Sequence, residues 1–252
     1  MKYTKDNPLR VVTLCSGYDS QCLALSRLRD AYPEFDYTLI AWSEFDPESN
    51  TPLSRQPAVV AHNALFPEWK DRNLGDMTKI DWERVPDFDL LFYSTPCQSI
   101  SQAGLQHGFV EGSGTRSSII WNVRDAVKIK RPKFLCLENV KAMVSSKFVG
   151  MFNMWQLELE RLGYVNFAQI LNAKDYGVPQ NRERIFLVSI RMDGLEGLAG
   201  DVRFNFPKPF PLEKRLKDVL ETNVDEKYYL SDKMLEYFQK INDESEDPTS
   251  NG

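Results

Sequence analysis

The sequence predicts an α/β fold with a mostly parallel central sheet flanked by helices, and three observations carry that prediction. Apolar runs of strand length alternate with stretches of helical periodicity, as βαβ units require. Several of these runs stop abruptly at turn or polar residues, where an open sheet presents its functional side chains. The composition, 42% hydrophobic and 27% charged over 252 residues, is that of a globular chain able to bury one substantial core.

Arg10 to Cys15 reads as the first strand, and a helix follows from about Ser20 to Tyr32, with Cys22, Leu23, Leu25 and Leu28 on its apolar face. Tyr37 to Ser43 is the second strand. A helical or irregular stretch then leads to Phe66-Pro67, and a short segment lies near Gly75-Asp76-Met77-Thr78. Phe88 to Tyr93 reads as the fourth strand. After the long stretch Ser99 to Arg116 come a helix from about Ser117 to Lys130, the strand Phe134 to Glu138, and a helix from about Phe148 to Leu162 capped by Gly163. Tyr164 to Leu171 and Arg184 to Ser189 complete the sheet. No internal repeat is visible.

From about Met192 the composition shifts to Gly, Pro and charge, with Pro207, Pro209 and Pro211 close together. This divides the chain into a unit at 1–191 and a linker with the start of a second unit at 192–252. Ser231 is placed to cap a short helix, Asp232 to Lys240, before a polar tail from Asp243 that is expected to fray.

No stretch approaches the roughly 20 apolar residues of a membrane helix, and the start, Met1-Lys2-Tyr3-Thr4-Lys5, is not that of a signal peptide. A cytoplasmic location without membrane contact is the expectation. Cys15, Cys22, Cys97 and Cys136 form no Cys-x-x-Cys pair, and His62 and His107, expected in ordinary loops, add no zinc-ligand cluster. Neither a structural metal nor a disulfide framework is expected, and Cys22 and Cys136 read as small buried hydrophobes. The net charge of −5 argues mildly against nucleic-acid binding. Against that, Lys128 to Lys133 and Lys208 to Lys217 are locally basic, the former reading as a solvated helix end.

Two strand tips carry the chemistry. Phe88 to Phe92 ends in Tyr93-Ser94-Thr95-Pro96-Cys97-Gln98, and Phe134 to Leu137 ends in Glu138-Asn139-Val140. A thiol and a carboxyl at two strand ends that could meet in one crevice suit covalent attack on a ring assisted by a proton donor. With them stand Asn172 to Pro179 and Gln180-Asn181-Arg182-Glu183-Arg184.

Pro96-Cys97-Gln98, Glu138-Asn139-Val140 and the Gln-x-Arg-x-Arg signature at 180–184, in this order, resemble the DNA cytosine-5 methyltransferase family over roughly residues 10 to 210. The resemblance implies a Rossmann-like S-adenosylmethionine-dependent methyltransferase fold. It further implies methyl transfer to carbon 5 of cytosine in DNA, in a bacterial or phage modification system, with Cys97 as nucleophile. Glu138, kept protonated by burial, would serve the ring nitrogen, Arg184 the base carbonyl, and Arg182 the cytosine or its phosphate.

For the cofactor the resemblance implies Cys15, Ser16, Gly17 and Asp19 at the first strand-to-helix turn, Glu44 on the ribose hydroxyls and Phe45 over the adenine. Asp76 would take the adenine amino group beside Met77, with Ser94 and Pro96 completing the pocket. The family's usual Phe-x-Gly-x-Gly is altered here, Cys15 standing for Phe and Asp19 for the second Gly. An alternative reading has Gly17 simply turning the chain and Cys15 packing in the core. The Gly-rich stretch Ser99 to Arg116 would close as a lid on a cytosine flipped out of double-stranded DNA, contacted by Gln98, Ser101 and Arg116.

The family's later Gln-Gly-Phe-Pro and final Gly-Asn-(Ser/Ala)-Val segments do not occur. The chain is therefore expected to be truncated, completed by a second polypeptide, or degraded, with weak or no activity alone. Two other readings stay open: a tRNA cytosine-5 methyltransferase, and a noncatalytic partner-binding module of the same fold.

Overall fold

The computed structural model describes residues 3–96, 116–193 and 202–246. Among these residues six strands form one sheet: β1 (Leu9–Leu14), β2 (Tyr37–Ser43), β3 (Leu90–Tyr93), β4 (Phe134–Val140), β5 (Tyr164–Asn172) and β6 (Glu183–Arg191). They lie in the order β2-β1-β3-β4-β6-β5. β2, β1, β3 and β4 pair in parallel, whereas β6 runs antiparallel to both β4 and β5. Only β6 is reversed, so the expected mostly parallel α/β architecture is the one found.

Among the described residues five α-helices accompany the sheet: α1 (Ser20–Ala31), α2 (Pro57–Leu65), α3 (Val123–Lys130), α4 (Val149–Arg161) and α5 (Asp232–Glu246). Alternation along the strands splits the core in two. Val11, Leu39 and Trp42 pack with Cys22, Leu25 and Val59 of α1 and α2. On the other face, Val12, Leu14, Leu91, Leu135 and Leu137 pack with α3 and α4. Phe152, Trp155 and Leu159, spaced as one face of a helix, supply the α4 contribution.

Several expectations are corrected. Gly75 to Lys79 holds no strand; Asp76 caps a 3-10 turn at Met77–Lys79, which makes Leu90–Tyr93 the third strand. The helix expected from Ser117 begins as a 3-10 stretch, Arg116–Asn122, in keeping with the low helix propensity of its serines and isoleucines. On α1, Leu28 is exposed and the buried positions are Cys22 and Leu25. His62 lies on α2 and is fully buried, not in a loop. Gly163 does follow α4 with φ 91, the left-handed geometry that ends helices.

α5 runs to Glu246, beyond the expected Lys240 and into the stretch expected to fray. Its apolar side chains Met234, Leu235, Tyr237, Phe238 and Ile241 are all exposed. Upstream, Phe204 packs on Phe167 of β5, and the Phe210 amide donates to the Asp175 carbonyl. The Lys128 to Lys133 cluster is more than a solvated helix end: Lys130 pairs with Asp87 and Lys133 with Asp89, at the amino ends of the strands. Among the described residues no helix is long and apolar enough to cross a membrane, and no cluster of metal-ligating side chains occurs.

Candidate active site

The carboxyl ends of β1, β2 and β3 open on one cavity of about 640 Å³. After β1 the chain turns through three left-handed residues, Cys15 (φ 52), Gly17 (φ 57) and Asp19 (φ 65), before α1. Only the second is the glycine such a backbone favours. Cys15 lines the cavity and lies 3.4 Å from Met77 Sδ. Burial, with Glu44 and Asp76 nearby, pushes its thiol up to about 12, so it stays protonated at neutral pH. Burial does the same to Cys136, also to about 12.

Glu44 follows β2, and its Oε2 accepts the Gly17 N–H at 2.6 Å. Burial raises its pKa above the ordinary carboxylate value, with the Gly17 and Phe45 amides pulling the other way. Asn73 holds it in place. Its Oδ1 accepts from the Glu44 and Gly75 amides at 3.2 and 2.9 Å, and its Nδ2 donates to the Glu44 carbonyl at 3.3 Å. The Ser43 hydroxyl donates to the Gly75 carbonyl at 2.6 Å, so the end of β2 and the segment 73–76 form one rigid wall.

Asp76, Met77 and Phe45 line the same cavity. Burial works against the charge of Asp76, but Thr78 and Lys79 outweigh it and hold the carboxyl below its ordinary value. Met77 is 5% exposed and Phe45 37%, so the first is a fixed apolar wall and the second a flap at the rim. Buried Gln56 closes the far side by exchanging hydrogen bonds with the Asp46 backbone at 2.9 and 3.2 Å.

Sequence reasoning missed Asn73 and Gln56. Asn73-Leu74-Gly75 carries a turn signature that could have drawn attention to the first. Nothing local marks Gln56.

Cys15, Glu44, Phe45, Asp76, Met77 and Pro96 thus meet at one cavity, while Ser16, Gly17, Asp19 and Ser94 do not line it. Ser16 is buried beside it with a hydroxyl that has no hydrogen-bond partner among the described residues. Asp19 turns inward, capping α1 through the Cys22 amide and accepting the Thr13 hydroxyl. Ser94 also faces elsewhere. Its hydroxyl lies 2.7 Å from Glu138 Oε2 and 3.2 Å from the Glu138 carbonyl, tying the tip of β3 to that of β4.

Around Glu138 the expected partners converge. Arg184 Nε lies 3.0 Å from Oε1, and a guanidinium nitrogen of Arg182 lies 3.9 Å away. The β4–β6 register produces this meeting: Val140 pairs with Arg184, so the start of β6 sits against the end of β4. Glu138 was expected to be secluded, yet its side chain is 27% exposed and held in an ion pair. Asn172 orders the preceding loop, its Oδ1 accepting from the Arg182 and Lys174 amides. Asn139 is buried and donates to the Thr95 carbonyl at 3.0 Å, which fixes the approach to Pro96.

Cys97, Gln98 and Ser101, with the proposed lid, lie outside the described residues. Arg116 is described only as the start of its 3-10 stretch.

Comparison with known proteins agrees with this architecture. A family model described as C-5 cytosine-specific DNA methylase matches residues 9–251, further than the motifs alone reach. The type II methyltransferase M2.ScrFI of Lactococcus lactis subsp. cremoris is 46% identical over 165 residues, covering 66% of this chain and 44% of that protein. The orphan methyltransferase M.SssI of Spiroplasma monobiae is 36% identical over 205 residues, covering 79% and 50%. The chain therefore spans about half the length of the curated relatives it matches. A DNMT2 mutant from Spodoptera frugiperda shares the fold with a TM-score of 0.67 at 18% identity, over 92% of this chain and 65% of that one. With its strand-end cavity, its Glu138 cluster and a family model spanning nearly its whole length, the chain belongs to the C-5 cytosine-specific DNA methylase family.

Proposed function

We propose that the chain is the catalytic portion of an enzyme that methylates carbon 5 of cytosine in double-stranded DNA, within a bacterial or phage modification system, through a covalent Cys97 adduct. One observation carries the reading most directly. Ser94-Thr95-Pro96 leads from β3 to Cys97, Ser94 is bonded to Glu138, and Pro96 lines the cavity shared by Glu44, Asp76 and Met77.

The residues around the cavity fit S-adenosylmethionine. Glu44 offers a carboxylate for two vicinal hydroxyls, Asp76 an acceptor for an amino group, Met77 and Phe45 apolar surfaces for a flat ring, and Ser16 a buried hydroxyl in need of a partner. Bound there, the cofactor supplies the electrophilic methyl group that carbon 5 takes.

Carbon 5 of cytosine becomes nucleophilic only after addition at carbon 6. Cys97, as its thiolate, makes that bond. Glu138, which takes a proton from solvent once Arg184 has left it, gives that proton to the ring nitrogen beside the exocyclic amine, so the displaced electron pair is available at carbon 5. Arg184 leaves Glu138 for the base carbonyl, and Arg182 holds the nucleotide. Methylated carbon 5 then gives its proton to water, the carbon 5–carbon 6 double bond re-forms as the C–S bond breaks and Cys97 leaves as thiolate, and the ring nitrogen returns its proton to Glu138. The base must be flipped from the duplex, because stacking hides carbon 6. Gln98, Ser101 and Arg116 serve that step.

Residues 1–191 form the catalytic unit, and 192–252 are a linker and the beginning of a recognition domain completed by further polypeptide. What supports this is the exposed apolar series Leu216, Leu220, Tyr228, Tyr229, Met234 and Phe238, which the described residues leave uncovered.

A duplex containing 5-fluorocytosine, incubated with the chain and S-adenosylmethionine, is expected to give a denaturation-resistant adduct that Cys97→Ala abolishes. An adduct surviving that substitution would falsify the nucleophile assignment. Labelled-methyl transfer to duplex DNA and to tRNA identifies the acceptor, with weak turnover expected from this chain alone.

A further inference from the structure

Asp19 occupies a left-handed backbone position, φ 65 and ψ 58, with a fully buried side chain. A buried carboxylate persists only where donors meet it. Oδ2 accepts from the Thr13 hydroxyl at 2.8 Å and Oδ1 from the Cys22 amide at 3.3 Å. His62 Nε2 approaches Oδ2 at 3.5 Å. His62 comes from α2, is fully buried, and stacks on Trp42 with ring centroids 3.6 Å apart. Neither of its ring nitrogens has a hydrogen-bond partner among the described residues, and Asp19 Oδ2, 3.5 Å from Nε2, is the polar atom it faces.

The cluster therefore joins β1, the turn, α1 and α2. The same turn presents the Gly17 N–H, which grips Glu44 Oε2 at 2.6 Å. Neither Asp19 nor His62 lines the cavity. The geometry points to His62 as a positioning residue for the cofactor cavity: through Asp19 it holds the 15–19 turn in its left-handed form, and through the Gly17 amide that turn aims Glu44. The link to the cofactor rests on the reading of the cavity given above; the link to the turn does not.

His62→Phe keeps a ring over Trp42 and removes the polar nitrogen that faces Asp19, whereas His62→Gln puts an N–H group back on that side chain. Hydrogen–deuterium exchange of the full chain without ligand reads the turn, and calorimetry with S-adenosylhomocysteine reads the cavity. His62→Phe is expected to speed exchange at residues 17–23 about tenfold and to weaken S-adenosylhomocysteine by a similar factor, the scale of losing one buried polar contact. His62→Gln is expected to return both toward the parent values.

Exchange that rises evenly over α2 and β2, or stays unchanged at 17–23, overturns the proposal. A parent chain that binds no S-adenosylhomocysteine while His62→Phe still loosens the turn sinks the cofactor reading and leaves the turn-holding role standing. Should His62→Phe fail to fold, Asp19→Asn makes the same test. It tolerates the left-handed backbone but drops the charge facing His62, and no local rise in exchange at 17–23 rejects the inference.

Discussion

The two sides of the strand-end crevice are built differently. On the cavity side the polar anchors are bonded to backbone: Glu44 to the Gly17 amide, Asn73 to Glu44 and Gly75, Gln56 to Asp46. On the carboxylate side, Glu138 is held by the side chains of Ser94, Arg184 and Arg182, two of which are charged and partly exposed. The first arrangement is set when the sheet forms. The second consists of groups that can exchange one another for a ligand, and such contacts commonly tighten only once a substrate arrives.

The contrast can be broken by substitution. Glu138→Ala is expected to slow adduct formation with 5-fluorocytosine DNA by about 10²–10⁴-fold, the usual worth of a positioned acid, while S-adenosylhomocysteine affinity holds. A parallel loss of affinity would mean that the two sides are not separable. Glu44→Ala should do the reverse, weakening S-adenosylhomocysteine by about 10–100-fold, as expected for losing hydrogen bonds to a charged group. Its melting temperature should barely move. Arg184→Lys retains the charge but loses the planar fork, and about a tenfold slower adduct is expected; a parent-like rate would show that charge alone suffices.

The smallest expected effect belongs to the opposite end of the sheet, where Asp89 meets Arg10 at 3.0 Å and Lys133 at 2.9 Å. Burial opposes its charge, but these partners outweigh that and hold the carboxyl down to about 2. Because this lies below the unfolded value of about 3.9, the contribution is complete above pH 4 and fades as pH falls toward 2. Asp89→Asn should remove about 1–2 kcal/mol at neutral pH, allowing for solvent screening of the half-exposed Arg10 and Lys133. Denaturant titrations at pH 7 and pH 2.5 check this, the difference between parent and variant shrinking in acid.

The sequence revealed what depends on pattern and order. Buried parallel strands announce themselves as apolar runs, so β1 and β2 were placed to within a residue or two, while it was the family resemblance that grouped Glu44, Asp76, Met77 and Pro96, which line one cavity. Glu138, Arg182 and Arg184, which the motifs singled out, lie together at the end of β4 and the start of β6.

What escaped was side-chain direction. Asp19 in place of a glycine looked like an altered pocket wall, but its carboxylate points into the core because Thr13, Cys22 and His62 wait there, contributed by three separate elements. Ser94 sits one residue past a strand and could face either way; only the neighbouring strand, with Glu138 at its tip, decides. His62 gave no local sign of burial because its stacking partner, Trp42, is distant in sequence.

The reversal of β6 has a mechanical consequence. A strand running against its neighbours brings its beginning, not its end, to the crevice, so Arg184 arrives as the first of a series of rungs matched residue by residue to β4 and β5. Side chains alternate across a sheet, and a slip of one rung would swing that guanidinium to the opposite face. The long double ladder behind Arg184 therefore acts as a gauge: the reach of one fingertip is measured off along the whole arm.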